Sequence, residues 1–241
     1  MKNIWNRIKL LRAFATLIKD PRQTDKIFEI SDAGRKRRRE SAEIAMKAVL
    51  NDEGFLEVYR DGYNPEIELE KLRQLPQGTF GRAVAEFLDG NAFQPNTFPT
   101  TDSDTPLEYL VSRVRRVHDL WHVLSGYGTD VTGELALQGF TLAQLQSPFS
   151  GLLLAGGILH LVLYKPLELV GTFELIIEGY LRGKQARKLI TVRMEENWNR
   201  SLADLRSELG IPALKATALE FSTGDQSWMT QARWQSGRAV Q

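Results

Sequence analysis

The sequence predicts an all-α protein. Apolar residues recur at helical spacing through nearly the whole chain, alternating strand patterns are scarce, and Gly, Pro, Asn and Asp gather between the periodic stretches. With 241 residues, 42% of them hydrophobic, the chain is long enough to bury a sizeable core without staples. It has no cysteine, so disulfides, thiolate metal sites and cysteine nucleophiles are excluded, and any metal must be held by nitrogen and oxygen. That composition suits a reducing compartment. Thirty-one Lys and Arg against thirty Asp and Glu leave a formal charge of +1, with no global field to draw nucleic acid.

The first periodic stretch, residues 3–19, places Ile4, Ile8, Leu11, Ala15 and Ile18 on one face and carries no acid before Asp20. It superficially resembles a mitochondrial transit peptide but lacks the serine enrichment. It reads as an amphipathic first helix, stopped by Pro21, that packs on the core or lies on a membrane surface. The second stretch, 24–50, holds the run RKRRR at Arg35–Arg39 with Glu40 and Glu43 close by. Such a run is a solvated helix face or a contact for anionic lipid. FLEVYRDG, from Phe55 to Gly62, is the candidate for extended structure.

Helices are then expected over 66–73 and 79–89, and the polar, proline-containing stretch from Asn91 to Pro106 reads as a hinge or mobile loop. Further helices follow over 105–125, 133–146, 149–164, 166–194 and 200–208. Within them, FSGLLLAGGILHLVLY (Phe149–Tyr164) is the longest apolar run. As a helix it would span roughly 24 Å, short of the ~30 Å hydrocarbon core of a bilayer, which argues against a transmembrane segment.

Chemistry concentrates in RRVHDLWHVLSGYGTDVTGELALQ, Arg115 to Gln138, which contains two of the three histidines. On a helix, His118 and His122 lie about 40° apart and one turn up, so both imidazoles can face one point. Asp119 is about 100° around from His118, and is either a ligand at the helix edge or an acceptor behind one. On an unbroken helix Glu134 would lie roughly 18 Å from His122, so it can join only if the chain turns back. Gly126, Gly128 and Gly133, with Thr129 and Asp130, permit that reversal, and Glu134 then falls in the first turn of the next helix. Such nitrogen and oxygen ligands suit zinc, and iron or manganese would accept them. Two amphipathic histidines among ordinary helix-turn charges remain the plainer alternative.

Three familiar metal templates fail on these residues. A zinc protease of H-E-x-x-H type needs glutamate after the first histidine, where Asp119 stands. Metal phosphohydrolases with a His-Asp doublet need a histidine upstream, but His118 is the first in the chain. A ferritin-like di-metal site needs E-x-x-H pairs, and His160 has no such partner. His160, in an apolar helix, reads as a hydrogen-bonded core histidine.

VHDLWHVLSGYGTDVTGELALQ resembles the H-D-x-x-H, eleven residues, E signature of the fourth coenzyme Q biosynthesis protein family, the gap running from Val123 to Gly133. LPQGTFGRAVAEFLDGNAFQP (Leu75–Pro95), EGYLRGKQARKLITVRMEENWNRSLADLRSELGI (Glu178–Ile211) and LLRAFATLIKDPRQTDKIFEI are similar to other parts of that family, in order, over residues 9–211. The resemblance implies a helical domain over 1–211 and a C-terminal extension over 212–241, with His118, Asp119, His122 and Glu134 as both metal ligands and catalytic residues. The metal implied is zinc, with Fe²⁺, Mn²⁺ or Mg²⁺ as alternatives. Also implied are a polyprenyl lipid or prenylated quinone precursor as ligand, other quinone-biosynthesis proteins as partners and a homodimer. The implied place is the inner face of the cell membrane, bound peripherally from the cytoplasm in a bacterium, or the mitochondrial inner membrane in a eukaryote. The activity implied is oxidative decarboxylation of the aromatic head group, exchanging carboxyl for hydroxyl. The alternative is a non-catalytic polyisoprenoid-binding scaffold.

Other residues add to this expectation. Gly151, Gly156 and Gly157 offer a bare backbone against which a prenyl chain could lie, or else close helix packing. Arg82, at a helix start, is a candidate for a carboxylate or prenyl phosphate, or for a structural ion pair. Arg115 and Arg116 would supply charge beside the metal.

Overall fold

A computed structural model describes Ala15, Thr16, Ile18 and Lys19, residues 35–97 and 105–212, and Leu214. Its helices are α1 (Arg35–Ala45), α2 (Lys47–Leu50), α3 (Glu53–Arg60), α4 (Leu69–Arg73), α5 (Phe80–Gly90), α6 (Pro106–Ser125), α7 (Val131–Leu145), α8 (Pro148–Tyr164), α9 (Leu169–Gln185) and α10 (Leu202–Glu208). Short 3₁₀ turns occupy Pro166–Glu168, Leu189–Thr191 and Met194–Asn197. No strand occurs among the described residues, where extended pairing is limited to one antiparallel bridge between Thr79 and Ser201. The protein is all-α.

Three expectations change. Phe55–Arg60 is helical, not extended, because Asp52 caps α3 by accepting the Phe55 N–H at 3.3 Å, and Phe55 and Val58 are buried three residues apart; Asp61 and Gly62 form the turn after it. The stretch 166–194 breaks at Gln185: the Arg187 N–H goes to the Leu209 carbonyl at 2.8 Å, a tertiary partner that periodicity cannot reveal. The described part of 24–50 is two helices separated at Met46. RKRRR lies in α1, and Arg39 pairs with Glu43 at 3.3 Å. Most of the first helix expected at 3–19, the loop over 98–104 and nearly all of 212–241 lie outside the described residues. Among the described residues no helix is long and apolar enough to cross a membrane.

The chain forms two compact units, each discontinuous in sequence. One joins Thr129–Lys184 to the described part of Met1–Val49, and the other joins Leu50–Gly128 to the described part of Gln185–Gln241. No composition shift marks this division.

In the first unit, Leu135 of α7, Leu154 and Leu161 of α8 and Ile176 of α9 form the buried apolar cluster. Small residues let the helices approach backbone to backbone. A Cβ on Gly139 would lie 2.5 Å from the Ile176 carbonyl oxygen, and one on Gly183 2.5 Å from that of Phe140. Gln144 donates to the Gly183 carbonyl at 2.6 Å, and the Thr132 and Thr172 hydroxyls meet at 3.1 Å. Replacing Gly139 by Ala is expected to destabilise the protein by about 1–3 kcal/mol in chemical denaturation, despite the ~1 kcal/mol helical advantage of Ala, because backbone cannot yield as a side chain can.

The second unit packs α5 against α4 and α6 around Phe55, Phe80, Phe87, Leu110, Leu120 and Trp121, all buried. An ion pair crosses this core. Arg113, 1% exposed, holds Glu195 with two bonds of 2.5 and 2.7 Å. Nearer the surface, the Lys188 ammonium 2.6 Å from Asp52 holds that carboxyl below its usual range. A depressed carboxylate contributes stability above its unfolded pKa and loses it as pH falls through the folded value. Asp52→Asn, which keeps the helix cap, should therefore cost about 0.2–1 kcal/mol at pH 7, and the difference from wild type should vanish in thermal melts at acid pH, below the carboxylate range.

Candidate metal centre

Helix α6 carries both histidines. Thr105 accepts the Glu108 N–H at 3.3 Å and donates to its carboxylate at 3.0 Å, an N-cap with Pro106 in the first turn. Buried Leu107, Leu110, Val117, Leu120, Trp121 and Leu124 seat the helix in its unit. His118 and His122, one turn apart, bring their Nε2 atoms to 3.2 Å with the rings edge to face at 85°. A tetrahedral zinc with bonds of ~2.0–2.1 Å has ligand atoms about 3.3 Å apart, so this separation fits the edge of such a site.

His122 is 1% exposed and fixed on two further sides. Its Nδ1 lies 3.0 Å from the Tyr127 carbonyl, and Phe87 stacks on its ring at 5.4 Å. A carbonyl only accepts, so Nδ1 carries the proton, and a neutral ring then presents the Nε2 lone pair. A backbone carbonyl is one of the groups that orient histidines at metal sites.

The Tyr127 carbonyl is in place because α6 ends at Gly126, whose φ of 80° lies in the left-handed region that favours glycine. Of the three glycines expected to permit the reversal, Gly126 alone has positive φ, and Gly133 lies inside α7. Asp130 caps α7 by accepting the Gly133 N–H at 2.7 Å. Burial pushes its carboxyl above the usual range, the Gly133 bond opposes this, and the charge of Glu134 adds to the rise. Glu134 stands in the first turn of α7, as expected. His118, His122 and Glu134 each offer a ligand atom within 4.8 Å of the others, a group that can hold a metal ion.

Asp119 is not in this group. It follows His118 on the helix and is turned about 100° from it. Arg82 donates to Glu86 at 2.8 Å and to the Arg73 carbonyl at 2.6 Å. The N–H groups of Phe80, Gly81 and Arg82 go to Arg200 O, Trp198 O and Thr79 Oγ1, so this helix start has none left for an anion. Arg116 donates to the Pro65 carbonyl at 2.9 Å and the Asn96 side chain at 3.3 Å, while Arg115 is half-buried on the same helix. Gly156 is buried, and the Leu135 side chain fills the space in front of Gly157, which therefore serves helix packing. His160 bonds the Ile18 carbonyl at 2.7 Å and is a core histidine. Three residues with a part in the site have no sequence signal: Tyr127, which acts through its backbone, Phe87, and Arg206, which bonds the end of α6 from 82 residues away.

The family model described as Coenzyme Q (ubiquinone) biosynthesis protein Coq4 matches residues 10–215. The chain belongs to this family. It is 35% identical to the mitochondrial ubiquinone biosynthesis protein COQ4 homologue of Bos taurus over 157 residues, 64% of this chain and 58% of that protein. The corresponding Homo sapiens protein is 36% identical over 149 residues, 61% and 56% of the two chains. The chain thus spans a little over half the length of these Coq4 relatives. A crystal structure of a candidate ubiquinone biosynthesis protein from Nostoc punctiforme PCC 73102 superposes with a TM-score of 0.73 at 27% identity, covering 86% of this chain and 99% of that one.

Separate substitution of His118, His122 and Glu134 by Ala is expected to abolish whatever stoichiometric divalent metal the wild type retains, measured by elemental mass spectrometry after gel filtration. Asp119→Ala should weaken retention less.

Proposed function

We propose that the protein is a metal-dependent member of ubiquinone biosynthesis that binds a polyprenylated aromatic intermediate and replaces its ring carboxyl by hydroxyl. The observation that carries this reading is the meeting of His118, His122 and Glu134 within 4.8 Å in a chain of the Coq4 family. These residues would hold the ion, zinc before Fe²⁺, Mn²⁺ or Mg²⁺, and the resemblance adds Asp119 as a fourth ligand. When bound, the ion would supply Lewis-acid polarisation of the aryl carboxylate. The Tyr127 carbonyl keeps the His122 proton on Nδ1, and Phe87 keeps the ring in plane. Exchange of carboxyl for hydroxyl releases carbon dioxide and is a two-electron oxidation, so the substrate must meet an oxidant such as dioxygen. A remote prenyl tail provides binding energy that holds the ring in position.

An exposed apolar face supports the lipid part of the reading. Leu163, Tyr164, Leu167, Val170, Phe173 and Ile177 lie outward along α8, the following 3₁₀ turn and α9, and Leu167 is 98% exposed. Such a surface suits a prenyl chain or a bilayer interface and fits peripheral membrane attachment. It serves equally a scaffold that presents prenylated intermediates to other enzymes of the pathway, which is the second reading.

Turnover separates the two. Purified protein loaded with metal and supplied with a prenylated carboxyphenol and dioxygen is expected to yield the hydroxylated product and carbon dioxide by liquid chromatography and mass spectrometry. His118→Ala should remain folded and lose more than about a hundredfold in rate, as expected when a group that stabilises developing charge is removed. Lipid binding without turnover under any first-row metal would establish the scaffold.

A further inference from the structure

We propose that Arg206 is a positioning residue for His122, acting through the backbone of the turn that ends α6. The proposal rests on the metal reading above. The last carbonyls of a helix have no partner within it. In α6 the His122 carbonyl accepts the Gly126 N–H at 2.7 Å. Those of Val123 and Leu124, on buried residues, are met from α10: Arg206 donates to Val123 O at 2.7 Å and to Leu124 O at 2.9 Å. One guanidinium thus closes the helix end with two charge-assisted bonds and sets a cation at the negative end of its dipole.

The fork also braces the turn itself, since one Arg206 nitrogen is 3.5 Å from where a Cβ on Gly126 would lie. The next residue is Tyr127, whose carbonyl holds His122 Nδ1 at 3.0 Å. Residues 122–127 therefore form a loop that closes on the histidine ring, and Arg206 is its outside strut. Without the guanidinium, two carbonyls of buried residues lose their donors and the turn relaxes. The Tyr127 carbonyl then leaves Nδ1, the ring is free to change tautomer, and its Nε2 is no longer held 3.2 Å from that of His118. Lysine keeps the charge but cannot reproduce the fork, so it restores the arrangement only in part.

The test compares Arg206→Met and Arg206→Lys in the full chain, with Val58→Ala as a core-destabilised control in the same unit. Zinc affinity by competition with a chromophoric chelator, the His122 Nδ1–H resonance in ¹⁵N-labelled protein and the metal-free melting temperature are read in parallel. Arg206→Met is expected to weaken zinc binding about tenfold to a hundredfold and to lose the resonance, Arg206→Lys to fall between it and wild type, and Val58→Ala to keep both. Unchanged affinity and resonance in Arg206→Met, or losses in Val58→Ala matching those of Arg206→Met, would overturn the proposal. If Arg206→Met does not fold, Arg206→Lys decides by the same readouts. If wild type retains no zinc, the metal reading fails, and the resonance alone decides the role of Arg206.

Discussion

The hydrogen bond from His122 Nδ1 to the Tyr127 carbonyl is the constraint on which the site depends. It requires the backbone to double back within five residues of the histidine, which α6 achieves by stopping at a left-handed Gly126. Once made, the bond settles the tautomer and aims Nε2 at His118. Phe87 bars ring rotation from one side, and Arg206 prevents the helix end from fraying. A side chain that is 1% exposed is thereby held by a carbonyl, an aromatic face and the neighbouring imidazole. Such a ring pays little entropy on meeting a cation.

The two units stiffen their parts of the fold by different means. In the first, the glycines of α7 and α9 bring backbones into contact, so packing is tight because side chains are missing. In the second, the Arg113–Glu195 pair crosses the core, and Arg113 also lies over the Tyr63 ring at 5.3 Å. A buried pair adds little to stability compared with apolar residues of the same volume, yet losing one partner is costly, and here the pair ties the 3₁₀ segment 194–197 to α6. Arg113 lies about one and a half turns before His118 on α6.

Much of the fold was legible because helical periodicity is a local property. The starts of α5 and α6 fell where periodicity put them, at Thr79 and Thr105, whereas α7 begins at Val131, ahead of the expected 133, because Asp130 caps it. Phe55–Gly62 was misread because a short run rich in aromatic and β-branched residues suits a strand by composition, whereas the Asp52 cap and the three-residue spacing of buried Phe55 and Val58 decide for helix. The break after Gln185 was invisible because it depends on Leu209, far along the chain. In the site, the spacing of His118 and His122 and the reversal toward Glu134 were readable, since both follow from helix geometry and turn chemistry. The roles of Phe87, the Tyr127 backbone and Arg206 were not, because a stacking face, a carbonyl and a guanidinium carry no pattern until tertiary contacts choose them.

The amino-acid sequence by itself determined an all-helical chain without thiolate chemistry, with two imidazoles on one helix face and a carboxylate returned by a glycine-permitted turn. Spacing is enough for that, because helix geometry converts residue number into angle and rise. Tertiary structure decided what those groups face: that Arg82 bonds Glu86 and a carbonyl, that Gly157 meets Leu135, and that His122 is locked by Tyr127. Those outcomes depend on residues tens of positions apart being brought together, and hydrogen-bond partners and packing neighbours exist only once the chain has folded.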